Sequence, residues 1–261
     1  MSGVRTSTVE IGVGSCRVLE KGEGEPVAYL AGLGGVPTWL PFLDELAETR
    51  RVVVPSLPGF PGAPRGFHQL DDHLDWVAAT LDLLEATGLD GADVVASSVA
   101  AMLAAEVAAL SPATVDRLVL VGPWGLYDPA LPGADVFATT PDEQPGLISA
   151  QLDRWQSAMA APDGADALDW KVDAYRANEA AARISWPMGD RGLRKRLHRV
   201  RQPTLLIWGE QDRILPAAYA DLWAAGLPGG AEVVVVPDAG HHVVIDQPEV
   251  AAKHVGGFLD A

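Results

Sequence analysis

Short runs of β-branched and other apolar residues alternate along the chain with segments that have the spacing of amphipathic helices. Residues 7–20 have the pattern of one or two antiparallel strands, and further strands are predicted at 26–32, 51–55, 92–96, 116–122, 203–209 and 231–237. Helical spacing occupies residues 38–49 and 70–87, the alanine-rich run after residue 96, and residues 247–259. This alternation predicts an α/β protein with a mostly parallel sheet covered by helices.

The alternation stops between residues 123 and 200. A stretch of about 80 residues is too long for a structureless loop in a compact domain, so we interpret it as an inserted helical cap. The predicted organisation is a core of residues 1–122 and 201–261 with a cap of residues 123–200. The basic run RGLRKRLHRVR at 191–201 has the spacing of an amphipathic helix with inward leucines.

The composition limits the classes of partner that we expect. The chain has 261 residues, a formal net charge of -16 and one cysteine, Cys16. A surface of this charge repels phosphate backbones and anionic lipids, so neither a nucleic acid nor a membrane is expected as a partner. No secretory signal is visible in MSGVRTSTVE, and no apolar run is long enough to cross a bilayer. We therefore expect a soluble cytoplasmic protein, either a monomer or a homodimer.

Two adjacent serines, Ser97 and Ser98, lie between the strand predicted at 92–96 and the alanine-rich helix. A nucleophile at a sharp strand-to-helix turn needs small residues two positions before and two after it, because larger side chains collide there. Ser98 has Ala96 and Ala100 at these positions, whereas Ser97 has two valines. Ser98 is therefore the better candidate nucleophile, with a simple helix N-cap as the alternative interpretation.

A serine hydroxyl needs a base, and the base needs an acid that orients it. His241 follows the last predicted strand and Asp212 follows the strand before it, each in a glycine-containing loop. The C-terminal ends of parallel strands meet at one edge of a sheet, where open α/β proteins bind ligands. We therefore expect Ser98, Asp212 and His241 to lie together there. His242 is the alternative base, and Asp128 is the alternative acid.

Five motifs resemble those of the α/β-hydrolase family: AGLGG at 31–35, SLPGF at 56–60, VVASSVAA at 94–101, WGEQD at 208–212 and AGHH at 239–242. The resemblance extends over nearly the whole chain and is to members with a helical cap. It implies the α/β-hydrolase fold, with a mostly parallel eight-stranded sheet, helices on both faces and an inserted helical cap. The chain departs from the family pattern at Ala96 and Ala100, where the elbow G-x-S-x-G has glycines, and at Ala31, where the family often has histidine.

The resemblance implies an enzyme with a catalytic triad of Ser98, His241 and Asp212. The backbone N–H groups of Leu33 and Val99 are the expected donors to the oxyanion. The chemistry of such a triad needs no cofactor and no metal ion. Asp71, Asp72 and His73 could be taken for metal ligands, but adjacent residues on a helix point in different directions. We therefore interpret them as the acidic first turn of a solvated helix.

Three tryptophans of the predicted cap, Trp124, Trp155 and Trp186, are candidates for the substrate pocket. Their rings favour a small-molecule substrate that is a medium-sized, mostly apolar ester, thioester or lactone. The alternative is a C–C bond hydrolase of diketone-type substrates, which uses the same triad and for which Arg183 is a candidate polar contact. The departures at the elbow also leave open a ligand-binding protein or a non-hydrolytic tailoring enzyme on this fold.

Overall fold

The computed structural model describes residues 3–63 and 65–261. Residues 1, 2 and 64, which belong to the predicted core range 1–122, lie outside the described residues. One sheet contains eight strands: β1 Arg5–Ile11, β2 Gly14–Lys21, β3 Pro26–Leu30, β4 Arg51–Pro55, β5 Ala92–Ser97, β6 Val115–Val121, β7 Thr204–Gly209 and β8 Glu232–Val236. Their spatial order is β1-β2-β4-β3-β5-β6-β7-β8.

The predicted mostly parallel, eight-stranded sheet is confirmed. Strands β1 and β2 pair antiparallel, as do β2 and β4, while all other neighbouring pairs are parallel. Strand β5 lies in the middle of the sheet between β3 and β6, and all six of its residues are buried. A parallel strand covered on both faces has to be apolar along its length, which explains the run of valine and alanine in β5.

The helices are α1 Pro41–Leu46, α2 His73–Ala86, α3 Ser98–Leu110, α4 Gln144–Ile148, α5 Leu152–Ala158, α6 Ala167–Ser185, α7 Tyr219–Gly226, α8 Val243–Asp246 and α9 Pro248–Leu259. Buried side chains of α2, α3 and α7 form one apolar cluster with alternate residues of the sheet, and those of α1, α8 and α9 form a second cluster. Because successive strand residues face opposite ways, the two clusters lie on opposite faces. No helix in the described part of the chain is long and apolar enough to cross a membrane.

Helices α4, α5 and α6 lie between β6 and β7, in the segment that we interpreted as a cap. The prediction of a helix at 191–201 was wrong, because this segment forms two short 3₁₀ helices, Leu193–Lys195 and Leu197–Arg199. Its leucines are buried as the spacing predicts. The side chain of Arg196, between the two turns, donates two hydrogen bonds to a glutamate of α3.

Candidate active site

Strand β5 ends at Ser97 and helix α3 begins at Ser98, so the two serines form the strand-to-helix turn. Ser98 has a φ angle of 57°, in the left-handed region that residues other than glycine rarely adopt. The turn is also crowded, since a Cβ atom added at Gly32 would lie 2.3 Å from Cβ of Ser98. Ala96 and Ala100 are both fully buried beside it. Small neighbours thus allow a strained backbone at Ser98, which is the geometry that a nucleophile elbow requires.

Ser97 has a different environment from Ser98. Its Oγ lies 3.2 Å from the hydroxyl of Tyr29 and accepts a hydrogen bond of 3.2 Å from the backbone N–H of Gly32. Ser97 therefore connects the end of β5 to the turn that follows β3. The sequence carries no local signal for this role, because both partners are more than sixty residues away.

The structure brings the three predicted catalytic side chains into one hydrogen-bonded chain. His241 Nε2 lies 2.8 Å from Ser98 Oγ, and His241 Nδ1 lies 2.8 Å from Oδ2 of Asp212. The other carboxylate oxygen of Asp212 accepts hydrogen bonds of 2.9 Å from the backbone N–H groups of Ile214 and Leu215. A carboxylate can only accept, so Nδ1 of His241 carries a proton and the neutral ring has an acceptor at Nε2. This tautomer is the one that can remove a proton from Ser98.

The alternative base and the alternative acid lie in other environments. His242 is buried, and this burial, together with the neighbouring His241, lowers the pKa of His242 to about 3. Its ring is therefore neutral near pH 7. Asp128 accepts a hydrogen bond of 2.9 Å from the backbone N–H of Ala130 and so stabilises a local turn. Of the two acids that the sequence offers, Asp212 is the one in contact with His241.

The two predicted oxyanion donors come from two different segments, the turn after β3 and the start of α3. Leu33 lies in a turn closed by a hydrogen bond of 2.8 Å from the N–H of Gly35 to the carbonyl of Gly32. Val99 is the second residue of α3, and the first N–H groups of a helix have no partner within it. Their function as oxyanion donors stays a prediction.

Trp124 makes a contact that the sequence did not predict. Its indole Nε1–H donates a hydrogen bond of 3.0 Å to Nε2 of His241, the nitrogen that also faces Ser98. An indole N–H is a donor only, so this contact requires an unprotonated Nε2. Trp124 is 3 % exposed and follows β6 by three residues, at the start of the predicted cap. The contact stabilises the resting neutral form of the base.

Two cavities are lined by residues that neighbour the candidate site, Leu33 in one and Trp124 in the other. One, of about 270 Å³, lies between the turn containing Leu33 and the cap residue Trp155. The other, of about 140 Å³, is lined by Trp124 together with residues such as Met102 of α3. Trp186 lines neither of these two cavities. This residue is 54 % exposed and lines an outer groove of the helical segment between β6 and β7.

A buried carboxylate holds the histidine loop against the cap. Oδ2 of Asp246 accepts hydrogen bonds from the backbone N–H groups of Gly240, at 2.7 Å, and Ala150, at 2.8 Å, while Oδ1 accepts one from the hydroxyl of Ser149. Gly240 directly precedes His241, whereas the other two donors connect α4 to α5. The position of His241 is therefore coupled to the helical segment between β6 and β7. The aspartate follows the glycine–histidine pair by five residues, but nothing in its neighbourhood predicts these partners.

A second buried carboxylate–histidine pair lies farther along α3. The two carboxylate oxygens of Glu106 each accept a hydrogen bond of 2.6 Å from Arg196, and one of them lies 3.1 Å from Nε2 of His73. Burial acts to raise the pKa of Glu106, but the hydrogen bonds from Arg196 and His73 outweigh it and hold the pKa below its ordinary value. This cluster joins the segment before β7 to the core. Among the described residues, no group of three or more His, Cys, Asp and Glu side chains has the arrangement of a metal site.

The sequence profile of the alpha/beta hydrolase fold matches residues 25–248. A dihydrolipoyllysine-residue acetyltransferase component of the acetoin cleaving system from Cupriavidus necator is 31% identical over 264 residues, which cover 92% of this chain and 66% of that protein. This chain thus spans just under two thirds of that relative. A 2-hydroxy-6-oxo-2,4-heptadienoate hydrolase from Pseudomonas putida is 27% identical, with 99% of this chain and 94% of that protein covered.

Solved structures share the fold at lower identity. The 2-hydroxy-6-oxo-6-phenylhexa-2,4-dienoate hydrolase from Rhodococcus sp. strain RHA1 superposes with a TM-score of 0.75 and 21% identity, over 99% of this chain and 100% of that one. A similarity at this identity concerns the architecture and not the substrate. It extends over both the sheet and the helices between β6 and β7.

Proposed function

The chain belongs to the α/β-hydrolase family and is a hydrolase, and within this family we propose that it is a serine hydrolase that cleaves a medium-sized, mostly apolar ester, thioester or lactone. The observation that carries the proposal is the hydrogen-bonded chain from Ser98 through His241 to Asp212, with both links at 2.8 Å. The left-handed backbone of Ser98 supports it further.

In the proposed mechanism, Nε2 of His241 takes the proton of Ser98 as Oγ attacks the carbonyl carbon. The backbone N–H groups of Leu33 and Val99 bind the oxyanion of the tetrahedral intermediate. Asp212 holds the ring in the reactive tautomer and stabilises the imidazolium that forms. The leaving group departs with the proton from His241, and a water molecule then hydrolyses the acyl-enzyme by the same route.

The environment of Ser98 supports a substrate that is largely apolar. Both Ser98 and His241 are 1 % exposed, so a substrate reaches them only by displacing or entering the surrounding apolar surface. Trp155, a predicted pocket residue, lines the cavity next to Leu33. Burial of an apolar substrate there is favoured by about 25 cal/mol for each Å² of surface removed from water.

A C–C bond hydrolase of diketone-type substrates is the second candidate, because three of the similar proteins carry names of this kind. The sequence suggested Arg183 as the polar contact for a diketone-type substrate. In the structure, Arg183 forms an ion pair of 3.1 Å with Glu179 and lies over the ring of Phe67. These contacts hold it on the outer groove that also contains Trp186. Ester cleavage is therefore the better supported of the two reactions.

A fluorophosphonate probe with intact-mass detection tests the proposed function. We expect one adduct on the wild-type protein, no adduct on Ser98→Ala, and slow labelling of His241→Ala and Asp212→Ala. Ser97→Ala is the matched control, because it removes the neighbouring hydroxyl and leaves the proposed nucleophile. A folded wild-type protein that resists both this probe and a smaller phosphonylating reagent contradicts the proposal and favours a ligand-binding protein.

A further inference from the structure

Two donors compete for one acceptor on the ring of His241. Its Nε2 atom lies 2.8 Å from Ser98 Oγ and 3.0 Å from the indole Nε1 of Trp124. A neutral imidazole has a single acceptor nitrogen, so the serine hydroxyl and the indole N–H share one lone pair. Activation of the nucleophile requires that the hydroxyl has this lone pair to itself. The contact with Trp124 therefore weakens the activation of Ser98.

The indole nitrogen of Trp124 also lies where the reaction needs space. In acyl transfer, the protonated Nε2 of His241 gives its proton to the heteroatom of the leaving group, which has to lie within hydrogen-bond distance. Nε1 of Trp124 already lies at this distance from Nε2. Because the indole and the leaving group need the same space, the indole has to move before a leaving group can depart.

The burial of the site leads to the same conclusion. Ser98 and His241 are each 1 % exposed, and Trp124 is 3 % exposed. The walls of the two neighbouring cavities are formed by residues other than Ser98 and His241. A carbonyl carbon therefore reaches Oγ of Ser98 only after part of the surrounding wall has moved. Trp124 is the part of this wall that contacts the reactive nitrogen of the base.

The backbone around Trp124 is held closely on both sides. Its N–H donates a hydrogen bond of 3.3 Å to the carbonyl of the first residue of α3. A Cβ atom at Gly122 would lie 3.2 Å from the ring of His241, and one at Gly125 would lie 2.7 Å from a side chain of α3. Both glycines have positive φ angles, 52° and 106°. Rotation of the side chain, and not movement of the loop, is the motion that this packing leaves to Trp124.

The cavity of about 140 Å³ that Trp124 lines provides space for such a rotation, and we refer to it as the receiving cavity. Met102 and Met188 form part of its wall, and Gly189 adds a position without a side chain. Methionine side chains are flexible and fill irregular gaps, so they repack around an aromatic ring more readily than branched side chains do. The receiving cavity is thus adaptable on the sides where the indole enters.

We propose that Trp124 is a gate. Its indole closes the site by its hydrogen bond to Nε2 of His241, and it rotates into the receiving cavity when the leaving group of a substrate, an alcohol or a thiol, takes its place. The inference rests on the proposed function and identifies the leaving-group position of the same site.

Removal of the gate should make Ser98 more accessible. We expect Trp124→Ala to raise the rate constant of fluorophosphonate labelling by at least about tenfold, because the apparent rate in the wild type is reduced by the fraction of molecules that are closed. Trp124→Phe keeps an aromatic ring and loses only the donor. It tests the gate in the same way if Trp124→Ala does not fold, with a smaller rise of about two- to tenfold.

A double-mutant cycle with Gly189 tests the receiving cavity. A Cβ atom at Gly189 would lie 3.7 Å from the carbonyl oxygen of Pro187, which is an ordinary contact, so the backbone accommodates a side chain. Gly189→Leu fills the receiving cavity and should slow labelling by about fivefold or more where the indole is present. In the Trp124→Ala background the same change should alter the rate by less than about twofold. Gly189→Ala is the matched control, since it leaves most of the volume free.

Labelling of Trp124→Ala that is no faster than labelling of the wild type overturns the gate. Equal effects of Gly189→Leu with and without the indole overturn the rotation into the receiving cavity. Failure of the proposed function gives a different result, because Ser98 then stays unlabelled in every variant, including the open Trp124→Ala. That result overturns the proposed function together with the inference that rests on it.

Discussion

Two buried histidine–carboxylate pairs lie along the same helix, α3, and only one of them belongs to the candidate active site. The pair of His241 and Asp212 meets Ser98 at the N-terminal end of α3, whereas the pair of His73 and Glu106 lies eight residues farther along. At a rise of 1.5 Å per residue, the two sites are about 12 Å apart along the helix axis.

The two pairs differ in what neutralises the carboxylate. Both oxygens of Glu106 are bound by Arg196, so its charge is already matched by a fixed cation. Asp212 is bound by backbone N–H groups and by His241, and among the described residues no lysine or arginine forms an ion pair with it. Its charge remains able to stabilise a proton that arrives on the histidine. A buried histidine that contacts a carboxylate is therefore a candidate base where no fixed cation compensates the acid.

Replacement of the two histidines should separate the two pairs most clearly. His241→Gln removes the base and should lower ester hydrolysis by about 10⁶-fold, the magnitude seen when a serine protease loses its histidine. His73→Gln, the matched change in the other pair, should leave kcat/KM within about twofold, because it alters only a charged hydrogen bond remote from Ser98. Steady-state kinetics of both variants check this, and a large loss in His73→Gln contradicts the assignment.

Asp212→Asn should have the next largest effect on activity. The amide oxygen can keep the hydrogen bonds from Ile214 and Leu215, while the amide nitrogen donates to Nδ1 of His241. This favours the tautomer with a proton on Nε2, which cannot take a proton from Ser98. We expect a loss of kcat of about 10⁴-fold with little change in stability. A mild loss would mean that another group orients His241.

Glu106→Gln should act on stability and leave the catalytic chemistry intact. It removes the charge that pairs with Arg196, and breaking a buried ion pair costs about 3 kcal/mol of unfolding free energy. Urea denaturation gives this value, and Asp71→Asn is the control for loss of an exposed carboxylate. Activity per folded molecule should stay near that of the wild type.

The stability difference between wild type and Glu106→Gln should depend on pH in one direction. Hydrogen bonds lower the pKa of Glu106 in the folded state below its ordinary value of 4.5, so the unfolded state takes up the proton first as the pH falls. The stabilisation is therefore complete above about pH 5 and is lost as the pH falls through the folded-state pKa. Denaturation between pH 7 and pH 3 measures this, and a difference that grows on acidification would contradict it.

Trp124→Phe should change the reactivity of Ser98 only modestly, and in the opposite direction from His241→Gln and Asp212→Asn. The indole N–H stabilises Nε2 of His241 as an acceptor, and this hydrogen bond is lost when Nε2 is protonated. An interaction present in the ground state and absent in the transition state slows a reaction. We expect fluorophosphonate labelling to become about two- to tenfold faster. Slower labelling would instead assign the indole a part in holding the base in place.

The sheet, and the placement of Ser98, Asp212 and His241 together at one edge of it, were predictable because each depends on short-range information. Strand β4 coincides with the predicted 51–55, and the helix predicted at 70–87 is observed as His73–Ala86. A residue just after a parallel strand is placed at a known edge of the sheet by the strand itself. The positions of Asp212 and His241, each in a loop that follows a parallel strand, could therefore be predicted from the sequence.

The contacts that the sequence did not predict join residues that are distant in the chain. Trp124 reaches His241 across 117 positions, and Glu106 reaches Arg196 across 90. Such contacts depend on how the cap lies on the sheet, and the periodicity of a helix carries no information on this. The segment 191–201 likewise has the leucine spacing of a helix but forms two 3₁₀ turns, which the spacing alone does not distinguish from a regular helix.

The carboxylate of Asp246 has a consequence for the modularity of the cap. Because it joins Ser149 and Ala150 of the predicted cap to Gly240 beside His241, we expect that the predicted cap cannot be exchanged freely for that of another family member. A chimera that receives the cap of another family member inherits a working histidine loop only if the foreign segment supplies donors at the same two positions.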